Sequence, residues 1–224
     1  MPEECLDERL DPDVRRSILE AVELMSGLGA SVERTSLPHL KYGIPTYYLI
    51  ADAEASSNLA RYDGVRFGPR VAGRGDARST SDATRSEGFG AEVKRRIMLG
   101  TYALSAGYYD QFYLKAQKVR SLIAGDFSAA FGRYDLLVSP TSPTTAFGAG
   151  ERLEDPVSMS LSDIFTVPAS LAGVAAMSVP CGFSSDGLPI GLQLMAERDA
   201  EPAMLSVASC LESAMGHVAA RPLL

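Results

Sequence analysis

The chain has 224 residues, 46% of them apolar and 22% charged, enough for one large domain or two small ones. By area scaling a compact chain of this mass exposes roughly 10,000 Å² of the roughly 35,000 Å² its unfolded form would, which argues for a real core and against disorder in bulk. With 28 acidic and 21 basic residues, the net charge of −7 argues against nucleic-acid binding through a global positive field.

No apolar run approaches the roughly 18 residues of a transmembrane helix, and the amino-terminal MPEECLDERLDPD is acidic where a targeting peptide would be basic. A soluble cytoplasmic chain with no membrane partner is the expectation. Cys5, Cys181 and Cys210 show neither CxxC nor Cys/His spacing, so no disulfide framework or metal site is predicted, and His39 and His217 add no pattern.

In chain order, Asp11-Pro12-Asp13 opens a helix whose apolar residues Val14, Ile18, Ala21, Val22, Met25 and Leu28 recur at helical spacing up to Gly27 and Gly29. Ser31 to Leu37 alternates like a strand, and Pro45 to Tyr62 carries a helical stripe that Asp63-Gly64 stops. Residues 68–84 are polar and rich in Gly, Arg and Ser, which predicts a surface loop. Helices are predicted over Ala91 to Ser105 and Tyr108 to Phe131, then a short buried strand at Asp135 to Ser139. Ser162 to Leu171 reads as a helix, and Ala176 to Phe183 and Ile190 to Met195 read as strands joined by a Ser-Asp-Gly turn. The last helix runs from Glu201 to about Met215, with Pro202 in its first turn. No repeat or composition shift marks a boundary, so the chain, 1–224, reads as one α/β unit.

Three polar features stand out. Glu92-Val-Lys-Arg-Arg96 lies in a helix whose three cations cannot share one face, and Arg96 is the one turned inward by its spacing from Val93 and Ile97. It reads either as a snorkelling surface arginine or as a guanidinium fork for a carboxylate. Asp163 reads either as a helix cap or as an acceptor for a ligand ammonium, and Tyr47-Tyr48 either as packing or as a phenolic ligand contact. Phosphate-binding glycine motifs and a GxSxG elbow are absent.

Longer strings carry more information. YYLIADAEASSNLARYDGVRFG (47–68), RSEGFGAEVKRRIMLGTYALSAGYYDQFYLKAQKVR (85–120), DLLVSPTSPTTAF (135–147) and VPASLAGVAAMSVPCG with LPIGLQLMA (167–196) occur in order. Together they resemble the carboxy-terminal half of the amidase signature family, within it the A subunits of the glutamyl-tRNA(Gln)/aspartyl-tRNA(Asn) amidotransferases. The resemblance implies a mixed central sheet covered by helices, of which this chain is the carboxy-terminal part. It implies release of ammonia from glutamine through a serine nucleophile, a second serine and a lysine. The partners it implies are glutamine, the B and C subunits of an amidotransferase heterotrimer, and aminoacyl-tRNA held by the B subunit. ATP and Mg are used by that partner, and this chain itself holds no cofactor. The positions matching the family's glutamine-binding set are Tyr47, Arg96 for the α-carboxylate and Asp163 for the α-amino group. No stretch resembles the Gly/Ser-rich catalytic signature: Ser56-Ser57 lacks flanking glycines, and Ser184-Ser185 leads into a turn. Without a base a serine is a weak nucleophile, so the chain alone is expected to be inactive. Another amidase signature hydrolase and a non-catalytic amino-acid or partner-binding module are the competing readings.

Overall fold

The Asp11 carboxylate accepts hydrogen bonds from the backbone amides of Asp13 (2.9 Å) and Val14 (3.2 Å), so α1 (Pro12–Gly27) begins at the predicted cap. The computed structural model describes residues 1–6, 10–73, 75–152 and 155–216. His217 lies outside them. After α1 come α2 (Gly43–Asn58), α3 (Ala77–Gly88), α4 (Ala91–Ala103), a π turn (Asp110–Leu114) and α5 (Lys115–Phe131). They are followed by β1 (Leu137–Pro140), α6 (Pro156–Leu161), α7 (Val167–Ala172), β2 (Ala175–Phe183), β3 (Pro189–Ala196) and α8 (Glu201–Met215). The chain divides into two compact units, Met1–Ile44 with Arg120–Leu224, and Pro45–Val119.

The first unit is built on a sheet of order β1-β3-β2. Met195 of the central strand faces Leu137 on one side and Ala176 on the other, both pairings antiparallel. The turn between β2 and β3, closed by Ser184 N–H to the Leu188 carbonyl at 2.9 Å, dictates that direction. The expected α/β fold of helices on a sheet is present, and the part of the sheet among the described residues is three-stranded and antiparallel. Ile190, Leu192, Leu194 and Ala196 form one face of β3 and pack with Val14, Ile18, Ala21 and Met25 of α1 and Met204, Ala208 and Leu211 of α8. The other face is partly polar: buried Gln193 donates to Ser139 Oγ (2.9 Å) and to the Phe165 carbonyl (3.0 Å). Those bonds offset the cost of placing an amide between sheet and covering segment.

Four expected elements differ, three of them as follows. Ser31 to Leu37 forms no strand, only a bridge between Thr35 and Pro2, because the next amide of the alternation, Leu37, is taken by a side chain rather than a strand partner. Thr35 N–H bonds the Met1 carbonyl at 3.0 Å, and the Glu4 carboxylate accepts the Leu37 amide at 3.0 and 3.1 Å. The helix expected over Ser162 to Leu171 starts at Val167, after a run of turns that follows α6. The helix expected from Tyr108 opens as the π turn and becomes α-helical at Lys115.

The second unit holds most of α2 together with α3 and α4. The segment 68–84 is only partly loop, since α3 begins inside it at Ala77, capped by Asp76 Oδ1 accepting from Ser79 N–H at 2.8 Å. Its buried positions are Thr80 and Thr84 rather than aliphatic residues, so no apolar period announces it. Thr84 Oγ1 accepts the Val71 amide at 3.1 Å, and a Cβ on Gly64, at φ +77°, would lie 2.4 Å from that oxygen. Glycine at 64 therefore serves both the left-handed turn after α2 and the contact with α3.

Cysteine chemistry reports on the first unit. Cys5 and Cys181 are buried and Cys210 on α8 is exposed; burial pushes the Cys181 thiol up to about 12. Iodoacetamide at neutral pH is expected to alkylate Cys210 in the native chain and the other two only on unfolding, read by peptide mass spectrometry. Native-state labelling of Cys181 would contradict the packing of β2.

Candidate functional site

The site grows from one helix contact. Gly100 of α4 lies so close to α2 that an added Cβ would sit 1.8 Å from the Asp52 carbonyl oxygen and 2.4 Å from its carbon. One turn before Gly100, Arg96 projects towards α2. On α2, Tyr47 lies one turn and a residue before Asp52, on the side that meets Arg96.

Arg96 is 28% exposed at its side chain, against 43% for Arg95. Its Nε donates to Glu92 Oε1 at 2.8 Å and its Nη1 donates to the Tyr47 hydroxyl at 3.1 Å. The guanidinium carbon stands 5.5 Å from the Tyr48 ring centroid and 6.0 Å from that of Tyr47, and the two rings meet edge to face at 5.4 Å. Nη2 carries no hydrogen bond among the described residues. Nε and Nη1 are thus engaged by protein groups, while Nη2 keeps free N–H donors that a carboxylate can accept.

Glu92 is the hub of the charges. Arg95 grips it with two bonds, Nε to Oε2 and Nη2 to Oε1, both 2.8 Å, while Arg96 takes Oε1 as well. The Arg95 bonds, joined by that from Arg96, hold its carboxyl at about 2. Burial works against the Arg96 charge, but the Tyr47 hydroxyl and Glu92 more than compensate and raise its pKa above the ordinary arginine value. Behind Arg96, the 4% exposed Asp52 places Oδ1 3.7 Å from Nη1, without a hydrogen bond. Burial raises the Asp52 pKa, against the pull of the Arg96 charge.

Of the residues singled out from sequence, the structure brings Tyr47 and Arg96 together in the second unit. Asp163 belongs to the first unit. It lies in the turns between α6 and α7, where its backbone carbonyl accepts the amides of Thr166 (3.1 Å) and Val167 (3.0 Å). Its carboxylate caps nothing: it is exposed and accepts no hydrogen bond among the described residues, which removes the helix-cap reading. Sequence reasoning passed over Asp52 and the hub role of Glu92. A carboxylate inside the otherwise apolar YYLIADA stretch was the available signal for the first, and a Glu at i−3 and i−4 from two arginines for the second. Ser56 Oγ is engaged with Thr101 Oγ1 at 2.8 Å, a surface link between α2 and α4. Among the described residues no cluster of ligating side chains could hold a metal ion, and no helix is long and apolar enough to cross a membrane.

Two outcomes test this geometry. Gly100→Ala is expected to force α2 and α4 apart and to lower stability in urea unfolding by about 1–3 kcal/mol, the range for overpacking; an unchanged midpoint would refute the close approach. Glu92, held below its ordinary 4.5, stabilises the fold above that value and loses the contribution as pH falls through about 2. A carboxyl-carbon NMR titration should place its midpoint near 2, and a midpoint near 4.5 would dissolve the hub.

A family profile described as Amidase matches residues 1–205. The A subunit of the glutamyl-tRNA(Gln) amidotransferase of Desulforamulus reducens is 54% identical over 222 residues, which is 99% of this chain and 46% of that protein. Its counterpart from Geobacter metallireducens is 56% identical over 214 residues, 96% of this chain and 44% of that protein. The chain thus spans a little under half the length of these relatives. In three dimensions it is similar to the crystal structure of the glutamyl-tRNA(Gln) amidotransferase A subunit from Thermotoga maritima, with 42% identity, a TM-score of 0.71, and coverage of 95% of this chain and 41% of that one. A solved amidase at 24% identity shares the fold with a TM-score of 0.74 over 96% of this chain and 45% of its own.

Proposed function

Because the chain belongs to the amidase family, we propose that it is the glutamine-recognising part of the glutaminase subunit of a tRNA-dependent amidotransferase. The observation that carries this reading is the Arg96 guanidinium, engaged at Nε by Glu92 and at Nη1 by Tyr47 and left with free donors at Nη2. In this role Arg96 holds the α-carboxylate of glutamine through charge-assisted hydrogen bonds, and Tyr47 orients the guanidinium. Holding the α-carboxylate of a free amino acid distinguishes glutamine from amides that lack that charge. The identities of 54% and 56% to amidotransferase A subunits support this substrate.

The chemistry of amide cleavage is assigned elsewhere. No segment of the sequence carries the glycine- and serine-rich catalytic signature, so the chain contributes binding and orientation rather than the nucleophile. In the assembled enzyme, ammonia freed from glutamine passes to the B subunit. There ATP and Mg activate the misacylated glutamate or aspartate on tRNA, with the C subunit completing a cytoplasmic heterotrimer.

Calorimetric titration of the purified chain with glutamine is expected to give a binding isotherm that Arg96→Ala weakens by about 1.5–3 kcal/mol, the worth of a hydrogen bond to a charged group. Ammonia release by the chain alone is expected to stay at the buffer rate. Absence of heat with the folded chain would overturn the recognition role, and turnover of glutamine by the chain alone would overturn the division of labour.

A further inference from the structure

Asp52 is the one buried side chain among the described residues whose polar atom has no hydrogen-bond partner, and the glutamine-recognition reading gives it no task. Its carboxylate is nine-tenths buried, and its one ion pair among the described residues is with Arg96, Oδ1 to Nη1 at 3.7 Å. A buried carboxylate oxygen without a hydrogen bond is costly unless a cation stands beside it, so Asp52 depends on the Arg96 charge. Its position is not free to relax. The Asp52 carbonyl is pressed against Gly100, so the backbone that carries the side chain is locked to α4. On its open side lie Tyr48, Leu99, Tyr102 and Phe112, which line a cavity of about 310 Å³ and offer a carboxylate little but aromatic and aliphatic surface.

Arg96 therefore serves two anions before any ligand arrives, the exposed Glu92 through Nε and the buried Asp52 through the field at Nη1. With Arg95 included, the two arginines and two carboxylates sum to zero formal charge. An incoming ligand carboxylate meets a guanidinium whose charge is already shared.

We propose that Asp52 is a positioning residue that acts through Arg96: it holds the guanidinium against α2 when the site is empty and competes with the ligand carboxylate for it, so that it sets how tightly the site binds. This rests on the reading that Arg96 takes the α-carboxylate of glutamine. A surface arginine that merely snorkels would need no such buried counter-anion, and a purely structural aspartate would be expected to satisfy its oxygens with backbone amides, as Asp63 does with Val65 and Arg66.

The test compares wild type with Asp52→Asn, which keeps the shape and removes the charge, using the full 224-residue chain at about pH 8, where carboxylates are ionised. Glutamine affinity by calorimetry is expected to rise roughly three- to tenfold, the order of effect of deleting one like charge that shares the same guanidinium. The amide of glutamine's α-carboxyl group, which lacks that anion, is expected to bind both proteins equally. In the ligand-free chain, proton exchange at the Arg96 Nε–H, followed by nitrogen-15 NMR, is expected to speed up severalfold in the variant as the guanidinium loses an anchor. Weaker or unchanged glutamine binding by the folded variant overturns the competition, and unchanged Arg96 exchange overturns the holding role. Should Asp52→Asn fail to fold, Asp52→Ala is read the same way. If the wild type binds no glutamine, the recognition reading fails, while Arg96 exchange still decides whether Asp52 holds the guanidinium.

Discussion

The candidate site depends on the approach of α4 to α2 at Gly100. A side chain there would occupy the place of the Asp52 carbonyl, so only glycine lets the two helix backbones come this close. That approach is what turns a fork on one helix and a phenol on the other into hydrogen-bonding neighbours. It also buries Asp52, creating the charge problem that Arg96 answers. Packing and electrostatics at this site are two consequences of one missing methyl group.

The arrangement of charge follows a division by exposure. Glu92 and Arg95 lie outside, where their bidentate pairing in water contributes little to stability but fixes direction. Asp52 lies inside, where solvent screens far less and a single charge matters more. Arg96 stands between the two regimes, so its orientation is set from the surface by Glu92 and its free charge from the interior by Asp52. If Arg96 binds a ligand carboxylate as proposed, setting its plane and its charge separately lets affinity be adjusted without moving its contacts.

The first unit has a different logic. Its central strand, β3, is buried over most of its length, one face against α1 and α8 and the other against a polar arrangement around Gln193. The Gln193 amide ties the sheet to the Phe165 carbonyl, two residues after Asp163, so the turn carrying that carboxylate is anchored from within. An exposed side chain on an anchored backbone suits a ligand contact: it pays little desolvation before binding and loses little entropy on binding.

Local chemistry written in the sequence determined α1, α8, and the hairpin of β2 and β3, because caps, prolines, helical periodicity and a Ser-Asp-Gly turn act within a few residues. The long strings of the chain likewise carried the family and the identity of Tyr47, Arg96 and Asp163 as candidates. Tertiary structure decided the rest. The alternation of Ser31 to Leu37 did not become a strand: its pairing ends at the single bridge of Thr35 with Pro2, and the Leu37 amide goes to the Glu4 carboxylate. α3 was invisible because threonines rather than aliphatic residues face its neighbours. Whether Arg96 snorkels or grips could not be read from spacing, which places a side chain on a face but not beside a partner 49 residues away. The meeting of Tyr47, Asp52 and Arg96 belongs to the fold alone, because it requires two helices distant in sequence to touch where glycine permits.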